Sequence, residues 1–250
     1  MRLFIYLFFI LTLTNSSFCS TRGDVKILEA TENIQYLSQK IATDCILLYK
    51  NPKDILLKKE IDRSINNLLF YIKDIKDIKD IQEYTEGILE YFEINTLQKI
   101  QNEKIDLPKV KNVLKYSEII LEGAKSISKE HRYKFSKEEK MLMLNQEILY
   151  LLQRINKYYI AISIGLNNHI NYIKMRRAIL KLDNRLKIMN NYKYPKDLKY
   201  TLNEINELWS RDRELFYQVK ELSIPYLLYT SSRYVETLVK KIEKYHKKNL

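Results

Sequence analysis

Residues 27–48 read ILEATENIQYLSQKIATDCILL, and this stretch decides the fold class. Its apolar side chains recur at spacings of three and four residues, at Ile27, Ala30, Ile34, Leu37, Ile41, Cys45 and Leu48. Because an α-helix repeats every ~3.6 residues, this spacing places them on one stripe of a helix. The stretch therefore predicts a long amphipathic helix that buries one face.

The same periodicity continues toward the C-terminus, and residues typical of helix ends divide it. Asn51-Pro52 ends the first helix, because the residue before a proline disfavours helical geometry. Pro108 and Pro225 suit the first turns of later helices, where a missing N–H costs nothing. Ser136-x-x-Glu139 has the pattern of a capping box. These signals predict eight helices, four on each side of residue 135.

The composition excludes several other classes of protein. Four glycines are too few for the tight turns of a β-rich fold. Two cysteines exclude a multi-cysteine zinc site and a disulfide scaffold. A hydrophobic fraction of 46% is enough for a real core. We therefore predict an all-α protein.

The two halves of the chain resemble each other. Tyr36–Gln39 matches Met143–Gln146 at an offset of 107 residues, and the two prolines of the later helices lie 117 residues apart. Since short connections between helices favour antiparallel neighbours, we expect two tandem antiparallel four-helix bundles. They would span residues 20–135 and 136–250 and would form a degenerate internal duplication.

The N-terminus has the outline of a secretory signal peptide. Arg2 precedes the apolar run Leu3–Leu13, and small residues follow it around Cys19. We expect residues 1–19 to be the signal peptide, cleavage after Cys19, and export, most simply to the periplasm. The alternatives are retention of the segment as an anchor and attachment of a lipid to Cys19.

The first helix also carries a family pattern. Leu37-Ser38-Gln39-Lys40, followed by Ala42, resembles the N-terminal domain of type IV pilus methyl-accepting chemotaxis transducers, the PilJ/NarX-like family. The stretch Met143–Gln146 resembles a degraded second copy. The resemblance implies a four-helix periplasmic sensing module whose first helix lies at a dimer interface. It also implies an anion-binding arginine, but Gln35 stands at that position, so the guanidinium that would grip the anion is missing.

The resemblance places contacts with a ligand or partner at six positions: Gln35, Ser38, Gln39, Lys40, Asn145 and Gln146. Another interpretation is that Ser38, Gln39 and Lys40 form an ordinary solvated helix flank. We expect no catalytic residues, because no Ser–His–Asp, phosphate-loop or paired-carboxylate pattern stands out. The three histidines lack metal-ligand spacing, so we expect no metal and no cofactor.

Two further expectations concern single features. Cys45 lies on the apolar stripe, so we expect a buried, inert thiol. The net charge of +12 is spread along the chain with the tyrosines, which argues against a nucleic-acid partner. The lysine-rich C-terminus suits a helix end, and membrane contact is expected to be at most peripheral.

These observations lead to two functional hypotheses. The first is a free-standing, non-enzymatic, sensor-like binding module of the periplasm. It would bind a small ligand or a membrane receptor, and it could form a homodimer through the first helix. The alternative is a structural or interaction protein of the cell envelope that binds no small ligand.

Overall fold

The computed structural model describes residues 22–78, 81–102, 105–131, 133–166 and 169–250. All regular structure in these ranges is helical and none of it is strand, which confirms the all-α class. The predicted signal peptide and its cleavage site lie outside the described residues. Among the helices in these ranges, none has both the length and the apolar composition that a membrane span requires.

Eight helices follow one another in the described ranges, as predicted. Seven are regular: α1 Arg22–Lys50, α2 Ile55–Lys76, α4 Leu107–Glu130, α5 Lys137–Ser163, α6 His169–Asn190, α7 Lys196–Tyr217 and α8 Pro225–Lys248. The third, α3, consists of Glu83–Phe92, a π-helical turn Glu93–Leu97 and Gln98–Asn102.

The predicted helix starts are confirmed. Pro108 and Pro225 lie in the first turns of α4 and α8. At α5 the Ser136 N–H donates to Glu139 Oε2 over 2.6 Å, and the Glu139 N–H donates to Ser136 Oγ over 3.2 Å. The capping box thus satisfies two backbone donors that would otherwise have no partner.

Helices α1 and α5 lie side by side at the centre and run parallel. Near their beginnings, Glu29 and Glu139 line the same cavity. Farther along both helices, the Thr43 hydroxyl donates to the carbonyl oxygen of Gln153 over 3.1 Å. Since the order of contacts follows the order of residues in both helices, the two helices point the same way.

Each central helix also packs against two helices of its own half. α1 contacts α2 and α4, and α5 contacts α6 and α8, so the first helix of each half packs against the second and the fourth. One hydrophobic core runs through both halves because α1 and α5 pack against each other. The internal duplication and the boundary at residue 135 stay predictions.

Because neighbours surround it, α5 buries polar and apolar residues alike. Between Ile148 and Ile162 every side chain is buried except that of Arg154, which is half-buried. The buried set includes Gln153, Asn156 and Lys157. Buried polar groups must find partners inside the protein, and the partners of Lys157 define the candidate site.

Candidate functional site

The residues predicted from the first-helix pattern are enclosed by the fold. Gln35, Ser38, Gln39 and Lys40 are all buried, because α2, α4, α5 and α8 surround this part of α1. They are therefore not a solvated helix flank. Their side chains bond within the chain, and direct contact with a ligand or partner stays a prediction.

Gln39 and Ser38 belong to a buried polar network around Lys157. The Lys157 ammonium donates to Gln39 Oε1 over 2.5 Å, to Ser117 Oγ over 2.9 Å and to Glu118 Oε1 over 2.7 Å. The Gln39 amide donates to the Ser117 carbonyl oxygen and to Ser38 Oγ over 3.0 and 3.1 Å. We call these five residues the Lys157 network. It joins α1, α4 and α5 at the centre of the molecule.

Burial and charge act against each other in this network. Desolvation is the larger effect on Lys157 and lowers its pKa to about 7, although Glu118 opposes the shift. Burial alone would raise the pKa of Glu118. Its cationic neighbours Lys157, Arg154 and Lys174 outweigh burial and hold this pKa well below its usual range. Glu118 is therefore ionised at every pH at which the protein is expected to work.

Glu118 connects the buried network to a basic groove on the surface. Arg154 Nη2 lies 2.7 Å and Lys174 Nζ 3.0 Å from Glu118 Oε2. Around them, α4, α5 and α6 form a cavity of about 410 Å³. We define the basic groove by its five cationic lining residues: Lys125, Arg154, Lys174, Arg177 and Lys181.

Acidic residues only partly balance this groove. Glu118 and Glu122 are the two carboxylates that line the cavity, and Glu122 pairs with Lys125 over 3.0 Å. Just outside it, Glu147 pairs with Lys181 over 2.6 Å. Arg177 is exposed and forms no ion pair with any described residue. The groove therefore keeps an excess of positive charge.

A second, partly buried network surrounds Lys40 and joins α1, α2 and α8. The Lys40 ammonium lies 2.5 Å from Asp44 Oδ2 and 2.9 Å from Glu60 Oε2. Arg233 holds the same Glu60 carboxylate through two N–H groups at 2.9 and 3.3 Å, and the Tyr229 hydroxyl donates to Asp44 over 2.7 Å. Two cations meet two carboxylates, so this network is balanced and fits a structural role.

The remaining predicted residues do not join either network. The Gln146 amide donates to Glu243 on α8 over 3.1 Å, and the Gln35 amide donates to Glu32 one turn earlier on α1 over 3.1 Å. The Asn145 amide is fully buried, and neither of its polar atoms finds a hydrogen-bond partner among the described residues. The six predicted positions therefore do not converge on one site.

The histidines and the cysteine occupy separate environments. His246 is buried between Glu138 Oε2, 2.6 Å from Nδ1, and the Tyr194 hydroxyl, 2.9 Å from Nε2. Within the described ranges no group of three His, Cys, Asp or Glu side chains could hold a metal ion. Cys45 is buried, as predicted, and burial raises the pKa of its thiol to about 12.

Sequence reasoning missed Lys157 and the basic groove. The one local signal was a lysine in a mostly apolar run, residues 155–162, INKYYIAI. A charged residue inside such a run must be paired or must lose its charge if neighbouring helices cover it. The groove itself had no local signal, because its residues come from three helices.

The lowered pKa of Lys157 predicts a pH dependence of stability. Between the folded-state pKa of about 7 and the ordinary value of 10.5, the unfolded chain keeps a proton that the folded chain has lost. The free energy of unfolding should therefore rise with pH in this window, by about 2 kcal/mol from pH 7 to pH 9. Urea denaturation at several pH values measures this rise.

Lys157→Met should abolish most of the rise in stability with pH. Lys174→Met, which removes a half-exposed partner of the same Glu118, should keep it. Equal slopes for wild type and Lys157→Met would contradict the assignment.

Comparisons with known proteins found no relative of this chain. No family model matches the chain, and neither a curated protein nor a solved structure matches it significantly.

Proposed function

We propose that the chain is a non-enzymatic, sensor-like binding module of the periplasm that holds a small anion in the basic groove. One observation carries the proposal. Five cationic side chains line one cavity of about 410 Å³, and only two carboxylates share that lining. A cleft lined by charges of one sign concentrates counter-ions from solution. The sequence of residues 1–19 supports the export.

The kinds of cation present suit an oxyanion. Arg154 and Arg177 present planar guanidinium groups, which bind a carboxylate or phosphate through two parallel hydrogen bonds. Lys125, Lys174 and Lys181 add point charges around them. The first helix, where the family resemblance expects the anion-binding arginine, has Gln35 at that position. In this proposal α5 and α6 supply the guanidinium groups instead.

The first-helix residues then act indirectly. Gln39 and Ser117 hold the Lys157 ammonium against Glu118. When it is protonated, Lys157 supplies part of the positive charge that balances Glu118, so Arg154 and Lys174 keep part of their own positive charge for a ligand. Gln39 and Ser38 are thus positioning residues for the groove.

Titration calorimetry with inorganic phosphate, sulfate, nitrate and citrate tests this function. At least one of these anions should bind the wild-type chain. Arg177→Gln/Lys181→Gln should weaken that binding by at least about tenfold, because a hydrogen bond to a charged group contributes about 1.5–3 kcal/mol. Arg177 is exposed, and Glu147 keeps its pair with Arg185 when Lys181 is replaced, so folding should change little, and thermal unfolding of the variant checks this.

A matched control removes the same charge elsewhere. Lys241→Gln/Lys244→Gln changes two exposed lysines on α8, outside the groove, and should leave anion binding unchanged. The proposal fails if none of the four anions binds. It fails equally if both double variants weaken binding to the same degree, since that would indicate attraction by net charge alone.

A further inference from the structure

A second surface feature is apolar, unlike the basic groove. The first turns of α2 and α8 expose large apolar side chains instead of polar ones. Ile55 and Leu56 are 65% and 75% exposed, Leu227 is 62% exposed, and Tyr226 beside it is exposed as well. Single exposed apolar residues are ordinary, so their significance depends on whether these residues are neighbours.

The hydrogen bonds place them at one end of the molecule. Both helices begin near the end of α1: α2 follows α1 after four residues, and Tyr229 in the second turn of α8 donates to Asp44 of α1 over 2.7 Å. Arg233 in the third turn of α8 pairs with Glu60 in the second turn of α2 over 2.9 Å. At the starts of these helices, burial and the nearby Asp54 carboxylate together raise the pKa of Tyr226. The apolar first turns of α2 and α8 therefore lie at the same end of the molecule.

Two more exposed apolar residues extend this surface. Tyr159 fixes the segment before α8, since its hydroxyl donates to the Leu222 carbonyl oxygen over 2.9 Å and accepts from the Ile224 N–H over 3.0 Å. Lys220 in the same segment lies over the Tyr172 ring at the start of α6, 5.4 Å from its centroid. We define the apolar end by six exposed residues: Ile55, Leu56, Ile170, Leu222, Tyr226 and Leu227.

Exposed lysines flank the members of the apolar end along the chain. Exposed lysines within a few residues of its members are Lys50, Lys53, Lys58, Lys59 and Lys220. The acids at comparable positions are Asp54, whose carboxylate already accepts the Leu57 N–H over 2.9 Å, Glu60, which pairs with Lys40 and Arg233, and the exposed Glu221. The first turn of α8 contains no acidic residue, so the partial positive charge of its helix dipole is not compensated there.

We propose that the apolar end docks on the surface of an anionic phospholipid bilayer. The six apolar side chains would enter the headgroup boundary, while the lysines would pair with lipid phosphates. This combination of apolar residues with flanking Lys residues is typical of proteins that lie on a membrane. A protein partner is disfavoured, because protein–protein interfaces are depleted in lysine.

Vesicle flotation with the full chain tests the proposal. Vesicles of phosphatidylglycerol mixed with phosphatidylcholine should bind the chain more tightly than vesicles of pure phosphatidylcholine, and added salt should weaken the binding. Leu56→Glu/Leu227→Glu should reduce the affinity for the mixed vesicles by at least about tenfold, since it removes two inserting side chains and adds two negative charges. Lys53→Gln/Lys58→Gln/Lys59→Gln should reduce it by a similar factor.

The control variant Leu180→Glu/Ile188→Glu changes two exposed apolar residues on α6 outside the apolar end and should bind as the wild type does. All variants keep residues 1–21, so that segment contributes equally to each. Equal binding to both kinds of vesicle would overturn the proposal, as would equal losses in the apolar-end and control variants. A change in the oligomeric state of Leu56→Glu/Leu227→Glu, with vesicle binding intact, would identify a protein contact and also overturn it.

Discussion

Glu118→Gln is expected to lower the free energy of unfolding by about 3 kcal/mol at pH 6, because breaking a buried ion pair leaves its partner uncompensated. At this pH, below its folded-state pKa of about 7, the Lys157 ammonium is charged. It lies 2.7 Å from Glu118 and is itself fully buried, so a neutral amide in place of the carboxylate leaves its charge poorly compensated. Urea denaturation followed by circular dichroism measures the change.

The double variant Glu118→Gln/Lys157→Met separates charge from packing. Methionine keeps much of the volume of the lysine stem, and replacing both members of a buried pair by neutral groups is often close to neutral. We expect the double variant to recover most of the loss caused by Glu118→Gln. The interpretation is wrong if the two single effects simply add, since independent sites add and coupled sites do not.

Tyr159→Ala should lower the free energy of unfolding by about 4 kcal/mol, in the range measured when large buried aromatic side chains are truncated. The Tyr159 ring is fully buried and meets Phe216 edge to face at 5.4 Å. Its hydroxyl also holds both the Leu222 carbonyl oxygen and the Ile224 N–H. One side chain therefore fixes the connection between α7 and α8 to the central helix α5.

Tyr159→Phe divides this effect into its parts. It keeps the ring and removes only the two hydrogen bonds, so the expected loss is about 1–2 kcal/mol. Both variants can be measured by urea denaturation under the same conditions. A loss below about 1 kcal/mol for Tyr159→Ala would contradict the packing described for α5.

The sequence predicts where each helix begins and ends better than it predicts which helices pack against each other. The apolar periodicity of residues 27–48 and the helix-start signals at Ser136 and the two prolines depend only on residues close together in the chain. The helices and their starts could therefore be predicted. The pairing of α1 with α5 depends on which apolar faces fit together, and periodicity does not specify that. For the same reason Ser38 and Gln39 looked like a surface patch, although a second helix covers them.

The basic groove could not be predicted from the sequence for a related reason. Lys125, Arg154 and Arg177 lie on three helices, and each alone resembles an ordinary charged position of an amphipathic helix. Only packing brings them to one cavity. Lys157 is the exception, because the mostly apolar run around it already indicated that its charge would need a partner.

The parallel pairing of α1 and α5 also affects how the chain can fold during its synthesis. Residues 22–50 emerge from the ribosome long before residues 137–163, which cover one of their faces in the finished protein. Contacts between distant parts of a chain form late, and uncovered apolar surface invites aggregation. The apolar face of α1 that α5 later covers therefore stays exposed until the second half has been synthesised. We expect chaperones to bind the nascent first half during this time.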